Sequence, residues 1–276
     1  MAQSKQAIKS RIRSINATKK ITSAMELIAN VKLQKSRNQM SKNKEYALIL
    51  QDVLGQIVST NKDLENIYTM PHNSTRRLVI VFTSDLGLCG GYNLNMMKLL
   101  ENINADELIV IGTHQYQWLV NREYKVINEM ISSDQMDFIK LKRLVHMALD
   151  KYIKDEIGYI DVLYTKFINT VSFEASVAPI MPLKHEVTDR KYKETLFEPS
   201  ADEILNTLIP MMVENLVYNL YMEAKTSENA ARRLAMENAT DNATELNDKL
   251  VLQYNQARQS AITQEITEII GGANAL

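Results

Sequence analysis

The sequence predicts a mixed α/β protein in which long N- and C-terminal helices form an antiparallel coiled coil and flank a central α/β domain. Three observations predict it. Met1 to Leu54 and Met211 to Ile270 contain no Gly or Pro, the two residues that most strongly interrupt helices. The two ends carry opposite charge: residues 1 to 44 have a balance of +10 and residues 200 to 276 a balance of -6. Between them, strand-like and helix-like segments alternate, the pattern of a small α/β layer with a largely parallel sheet.

The N-terminal helix, expected over residues 1 to 58, would span roughly 80 Å for its uninterrupted part alone. Ile8, Ile12 and Ile15, then Ile21, Met25 and Ile28, repeat a four-then-three step that reads as a packed helix face. Isolated Ile residues among cations make MAQSKQAIKSRIRSINATKK unlike a secretory signal. The polar stretch 59 to 77 is the expected join to the central domain, placed at 77 to 183.

Within that domain, LVIVFT (78 to 83), LIVIG (108 to 112) and IDVLYTKFINT (160 to 170) have strand composition, and VSFEASVAPI reads as a hairpin partner. Helical patterns lie at 94 to 103, 114 to 120 and roughly 135 to 156. The glycine-rich SDLGLCGGYN (84 to 93) follows a strand and precedes a helix, yet has neither GxGxxG nor GxxxxGK[ST]. It reads as a tight turn requiring positive φ. Cys89, the single cysteine, reads as a packing residue and favours a reducing compartment. His72, His114, His146 and His185 have no metal-ligand spacing. No acid/base pair stands out, and no cofactor or metal is expected.

After a second join at 184 to 200, the C-terminal helix is expected over 200 to 276. Ser200 and Glu203 fit a capping box, and Pro210 is placed to kink the helix or open a new one. Leu205, Leu208, Met212, Leu216, Leu220 and Ala224 step by three or four, as do Leu246, Leu250, Tyr254, Ala257 and Ala261. The spacing is too irregular for a strict heptad over the full length, so a local two-helix coiled coil of unassigned hand is expected. Residues 224 to 244, rich in Ala, Asn, Thr and Ser, read either as a thin shaft or as a solvated helix with a weak core face. Ile262, Ile266, Ile269 and Ile270 give the helix an apolar end. No apolar stretch approaches the roughly twenty residues that cross a bilayer.

KKITSAMELIANVKLQKS (19 to 36), TSDLGLCGGYN (83 to 93) and ARQSAITQEITEIIGGANA (257 to 275) together resemble the best marked segments of the gamma subunit of rotary F-type ATP synthases. The resemblance implies a Rossmann-like central domain and a terminal coiled coil that enters a ring of three alpha and three beta subunits. It also implies epsilon and the membrane-embedded c-ring as partners, and a place on the cytoplasmic face of the bacterial plasma membrane without direct bilayer insertion. Met25, Arg232, Gln259 and Thr263 match family positions associated with shaft-to-ring contact and coupling. Lys19, Lys20, Lys32 and Lys35 are expected to face acidic groups of the ring, with Ile266 and Ile269 at its sliding end.

The chloroplast-type insertion with its cysteine pair has no counterpart here, so thiol control is not expected. The initiating Met directly before the helix suits a bacterial protein. A nucleic-acid-binding or structural coiled coil is the alternative reading. The first of these is opposed by the lack of aromatic residues in positions 1 to 45 and by the acidic C-terminal helix. A nucleotide-binding α/β enzyme would use the glycine loop, which lacks a phosphate motif.

Overall fold

The computed structural model describes residues 5–60, 67–68, 72–183 and 201–274. In order these form α1 (Lys5–Thr60), β1 (Arg77–Phe82), α2 (Tyr92–Leu100), β2 (Glu107–Ile111), α3 (Tyr116–Asn121), α4 (Phe138–Ile153), β3 (Tyr159–Phe167), β4 (Phe173–Met181) and α5 (Ala201–Asn274). The expected join 184 to 200, with Ser200 of the capping box and His185, lies outside the described residues, as does much of the join at 59 to 77. The two long helices have 56 and 74 residues. α5 runs through Pro210 without interruption, so neither a new helix nor a break is needed there.

The chain divides into two compact units, residues 30–231 and residues 1–29 with 232–276, so both long helices contribute to both. In the larger unit the sheet order is β2-β1-β3-β4. β1 pairs parallel with β2 and β3, and β4 closes the sheet as an antiparallel hairpin. Strands buried on both faces need continuous apolar runs, and β1 and β2 have them. Leu78, Ile80 and Phe82 alternate with Val79 and Val81, feeding two separate cores. One core packs against α4 through Leu141, Val145 and Leu149 and against α5 through Leu205, Ile209, Val213 and Val217. The other packs against α2 and α3 through Met96, Leu100 and Leu119. The first thirty residues of α5 are thus a structural layer of the domain as well as part of a long helix. The outer edge of β2 is satisfied by Asn128, whose amide accepts from Val110 N at 2.8 Å and donates to Val110 O at 2.9 Å, imitating a strand partner.

At the start of β2, Glu107 is buried to 1% exposure and meets three cations. Its Oε1 accepts from Arg76 at 2.8 Å and from Lys125 at 2.7 Å, and its Oε2 lies 3.1 Å from Lys151 Nζ. Burial pushes this carboxyl up, but the hydrogen bonds and charges of Lys125 and Lys151 outweigh it and hold the acid below its ordinary 4.5. The folded chain therefore keeps Glu107 ionised where the unfolded chain protonates it. The resulting stability is present above about 4.5 and is lost as pH falls through the lower folded value. Glu107→Gln should cost about 1–3 kcal/mol at pH 7, the penalty for a buried charged hydrogen-bond network losing one member. The gap between variant and wild-type melting temperatures should narrow at pH 3. A gap independent of pH would show that Glu107 acts through packing alone.

Candidate functional site: the paired shaft

In the smaller unit each helix presents one continuous covered line. On α1 the buried or half-buried positions include Ile8, Ile12, Ile15, Lys19, Thr22, Glu26 and Ala29. On α5 they include Met236, Thr240, Ala243, Asn247, Leu250, Tyr254, Ala257 and Ala261. Both lines step four, three, four, three, a strict heptad that favours a left-handed wind. Thr240 Oγ1 donates to Thr22 Oγ1 at 2.8 Å, fixing the register of the antiparallel pair. The small side chains Ala29, Ala243 and Ala257 leave room for the backbones to approach closely. Leu250, 3% exposed, and Ile8 and Met236, each 4% exposed, are the large anchors.

Two sequence expectations, the packed faces of α1 and α5, are corrected here, and one open reading is narrowed. Ile21 and Ile28 do not continue the packed line of Ile8, Ile12 and Ile15, because they are 60% and 59% exposed. The step from Ile15 to Ile21 is six residues, which turns the helix away; the line passes instead through Lys19 and Thr22. Leu246 is likewise exposed, and its neighbour Asn247 takes the covered position. The polar stretch after Ala224 is not a solvated helix at its start: in the larger unit Thr226, Ser227, Glu228, Asn229, Ala230 and Ala231 are all buried. Thr226 Oγ1 donates to Met222 O at 2.7 Å, Ser227 Oγ to Thr165 O at 2.9 Å and Asn229 Nδ2 to Lys225 O at 2.9 Å, so these donors bond within the protein instead of facing water.

The structure separates the expected contact residues into distinct zones. Lys19 is half-buried on the covered line of α1, Lys20 is exposed, and Met25 is half-buried between the covered line and the exposed Ile21, Leu27 and Ile28. Arg232 is half-buried on α5. Gln259, Thr263, Ile266 and Ile269 form an exposed zone near the C-terminus. With Thr22 opposite Thr240 and about 1.5 Å rise per residue, Gln259 lies roughly 30 Å along the axis from the level of Met25. By the same count, α1 begins beside residue ~257, so the last turns of α5 extend beyond its described partner. Ile262, Ile266, Ile269 and Ile270 in these turns are exposed. Thr263 Oγ1 donates to Gln259 O at 3.0 Å, and Thr267 Oγ1 to Thr263 O at 2.8 Å, so these hydroxyls are tied to their own helix.

Lys32, expected to face outside acids, is half exposed and donates to Asp134 Oδ2 at 2.7 Å within the larger unit. The missed signal was an acid 102 residues away, invisible to any local pattern. The glycine-rich loop is a turn: Leu88 and Gly90 have φ of 60° and 58°. Asn93 returns to it, accepting from Ser84 N at 3.2 Å and donating to Ser84 Oγ at 2.7 Å. Cys89 is 2% exposed and packs with Tyr92 and Ala231. His72 meets Asp155 and His146 meets Glu214. Among the described residues no group of three or more His, Cys, Asp or Glu could hold a metal ion, and no helix is long and apolar enough to cross a membrane.

Comparison with known proteins gives this geometry its family. A family model described as ATP synthase matches residues 4–276. The sodium-ion-specific ATP synthase gamma chain of Acetobacterium woodii is 36% identical over 301 aligned residues, covering 100% of both chains. The ATP synthase gamma chain of Clostridium acetobutylicum is 39% identical over 275 residues, covering 98% of this chain and 97% of the relative. Among solved structures, the rotor of the Euglena gracilis mitochondrial ATP synthase has a TM-score of 0.61 at 19% identity, covering 93% of this chain and 99% of its own. The central stalk of the Tetrahymena thermophila mitochondrial enzyme gives 0.60 at 20% identity, covering 79% of this chain and 99% of its own. With identity in this range along the whole length, two long helices pairing on heptad lines and a four-stranded domain between them, the chain belongs to the ATP synthase gamma-chain family.

Proposed function

We propose that this chain is the central rotor shaft of an F-type ATP synthase, coupling ion-driven rotation of a c-ring to ATP synthesis at sites on alpha and beta subunits. The observation that carries this reading is the match to gamma chains over essentially the whole chain. The exposed apolar end of α5 supports it, since a smooth helix without strong directional bonds suits a sliding contact. A shaft acts on its ring as a ligand does: it shifts populations only by binding different catalytic-subunit conformations unequally. An asymmetric two-helix rod with two separate candidate contact zones suits that requirement. In this reading the chain has no catalytic site of its own. Its partners are three alpha and three beta subunits, epsilon and the c-ring, on the cytoplasmic face of a bacterial plasma membrane.

The test is reconstitution of the chain with alpha and beta subunits. A stable complex with ATPase activity that depends on the chain is the expected result. Calorimetry on the chain alone should give no saturable ATP binding, because the glycine loop lacks the donors and Lys that triphosphates need. No co-assembly, or micromolar ATP binding by the isolated chain, would overturn the assignment.

A further inference from the structure

Resting on the rotor reading, we propose that Asp134 is a positioning residue that carries torque from the α/β domain into α1 and α5 together. Asp134 follows the bridge at Ile131 and precedes α4. Its Oδ2 accepts from Lys32 Nζ of α1 at 2.7 Å, and its Oδ1 accepts from Lys225 Nζ of α5. One carboxylate on the domain thus holds both long helices. Lys225 also donates to Glu228 Oε2 at 2.9 Å and to Ser133 Oγ at 3.3 Å, while Tyr221 donates to Ser133 O at 2.6 Å.

The loop that carries Asp134 is itself braced from behind. Asp85, in the glycine-rich loop after β1, accepts from Ser133 N at 2.8 Å, Asp134 N at 2.7 Å, Ser132 Oγ at 2.7 Å and Thr113 N at 3.1 Å. A continuous set of short polar links therefore runs from the end of β1 to both helices. The apolar core between sheet and α5 is non-directional and resists separation more than sliding. Charge-assisted hydrogen bonds are directional and strong, so they resist rotation of the helices against the domain. Both ions are held charged. Burial opposes ionisation of Asp134, but bonds from Lys225 and Lys32 hold it at about 2. Lys225 is raised: burial opposes its charge, and Glu228 and Asp134 outweigh that effect. The glycine-rich loop thereby gains a role other than ligand binding, as the rear brace of a mechanical joint.

The experiment uses the assembled complex with Asp134→Asn, which keeps the shape and removes the charge. Lys32→Ala serves as a second variant, since that side chain is half exposed and its loss leaves the core intact. Assembly yield and ATP hydrolysis should stay at wild-type level. Ions pumped per ATP should fall, and angular fluctuation of a bead on the α/β domain, with the shaft held in its ring, should widen roughly twofold in variance as the charged links are lost. Lys32→Ala should give a smaller change of the same sign. Unchanged pumping ratio and stiffness in Asp134→Asn would overturn the inference. So would a loss of assembly, hydrolysis and pumping in the same proportion with stiffness unaltered in the surviving complexes, which marks a merely structural residue. A wild-type chain that fails to rotate in the complex would instead sink the rotor reading itself.

Discussion

Gly112→Ala is expected to lower the melting temperature of the α/β domain by roughly 10 °C, from a destabilisation of about 3–5 kcal/mol. Gly112 follows β2 with φ of 116°, and a Cβ added there would sit 2.3 Å from Thr83 O and 2.6 Å from Thr83 C. Those are backbone atoms at the end of β1, whose amide donates to Ile111 O at 2.7 Å, so the parallel pairing would have to part to relieve the clash. Gly112 N also donates to Ile131 O at 2.9 Å, which ties the same point to the segment leading to Asp134. Gly90 provides the control. Its φ is 58°, but a Cβ there meets nothing within 4 Å, so Gly90→Ala should cost only the left-handed backbone strain of about 1 kcal/mol. Equal melting temperatures for the two variants would show that β1 and β2 are free to separate at this point.

Met25→Lys should leave assembly and ATP hydrolysis largely intact and lower the number of ions pumped per ATP. Met25 lies half-buried beside the covered line of α1 and next to the exposed Ile21 and Ile28, where a flexible thioether slides past neighbours without directional bonds. A Lys ammonium there can form charge-assisted hydrogen bonds to acids of a surrounding ring, adding about 1.5–3 kcal/mol in some rotor orientations and not in others. Such a landscape traps the shaft. Hydrolysis and pumping measured in the same vesicles, with Met25→Leu as the packing control, give the ratio that decides it. Equal damage from Leu would assign Met25 to the coiled-coil core alone.

Strand and helix types in the central domain were legible from local pattern, because strands buried on both faces require unbroken Val, Ile and Leu runs such as those of β1 and β2. The long helices were legible from the absence of Gly and Pro, and the gamma-chain likeness from three contiguous segments. The candidate contact residues were nominated only through that likeness, since Gln259 and Thr263 look locally like any solvated helix positions.

The sequence by itself determined the order and kind of the elements, the sign of charge on each long helix and the family. Tertiary structure alone decided which stripe of each helix turns inward. α1 carries two lines at helical spacing, Ile21 with Met25 and Ile28, and Lys19 with Thr22, Glu26 and Ala29, and hydropathy favours the first. The second is covered, because Thr22 meets Thr240 and small residues admit close backbones. The partner of Lys32 and the burial of Thr226 to Ala231 were decided in the same way. Helical periodicity is a property of neighbours in sequence, whereas the choice among its stripes is made by groups 62 to 218 residues away.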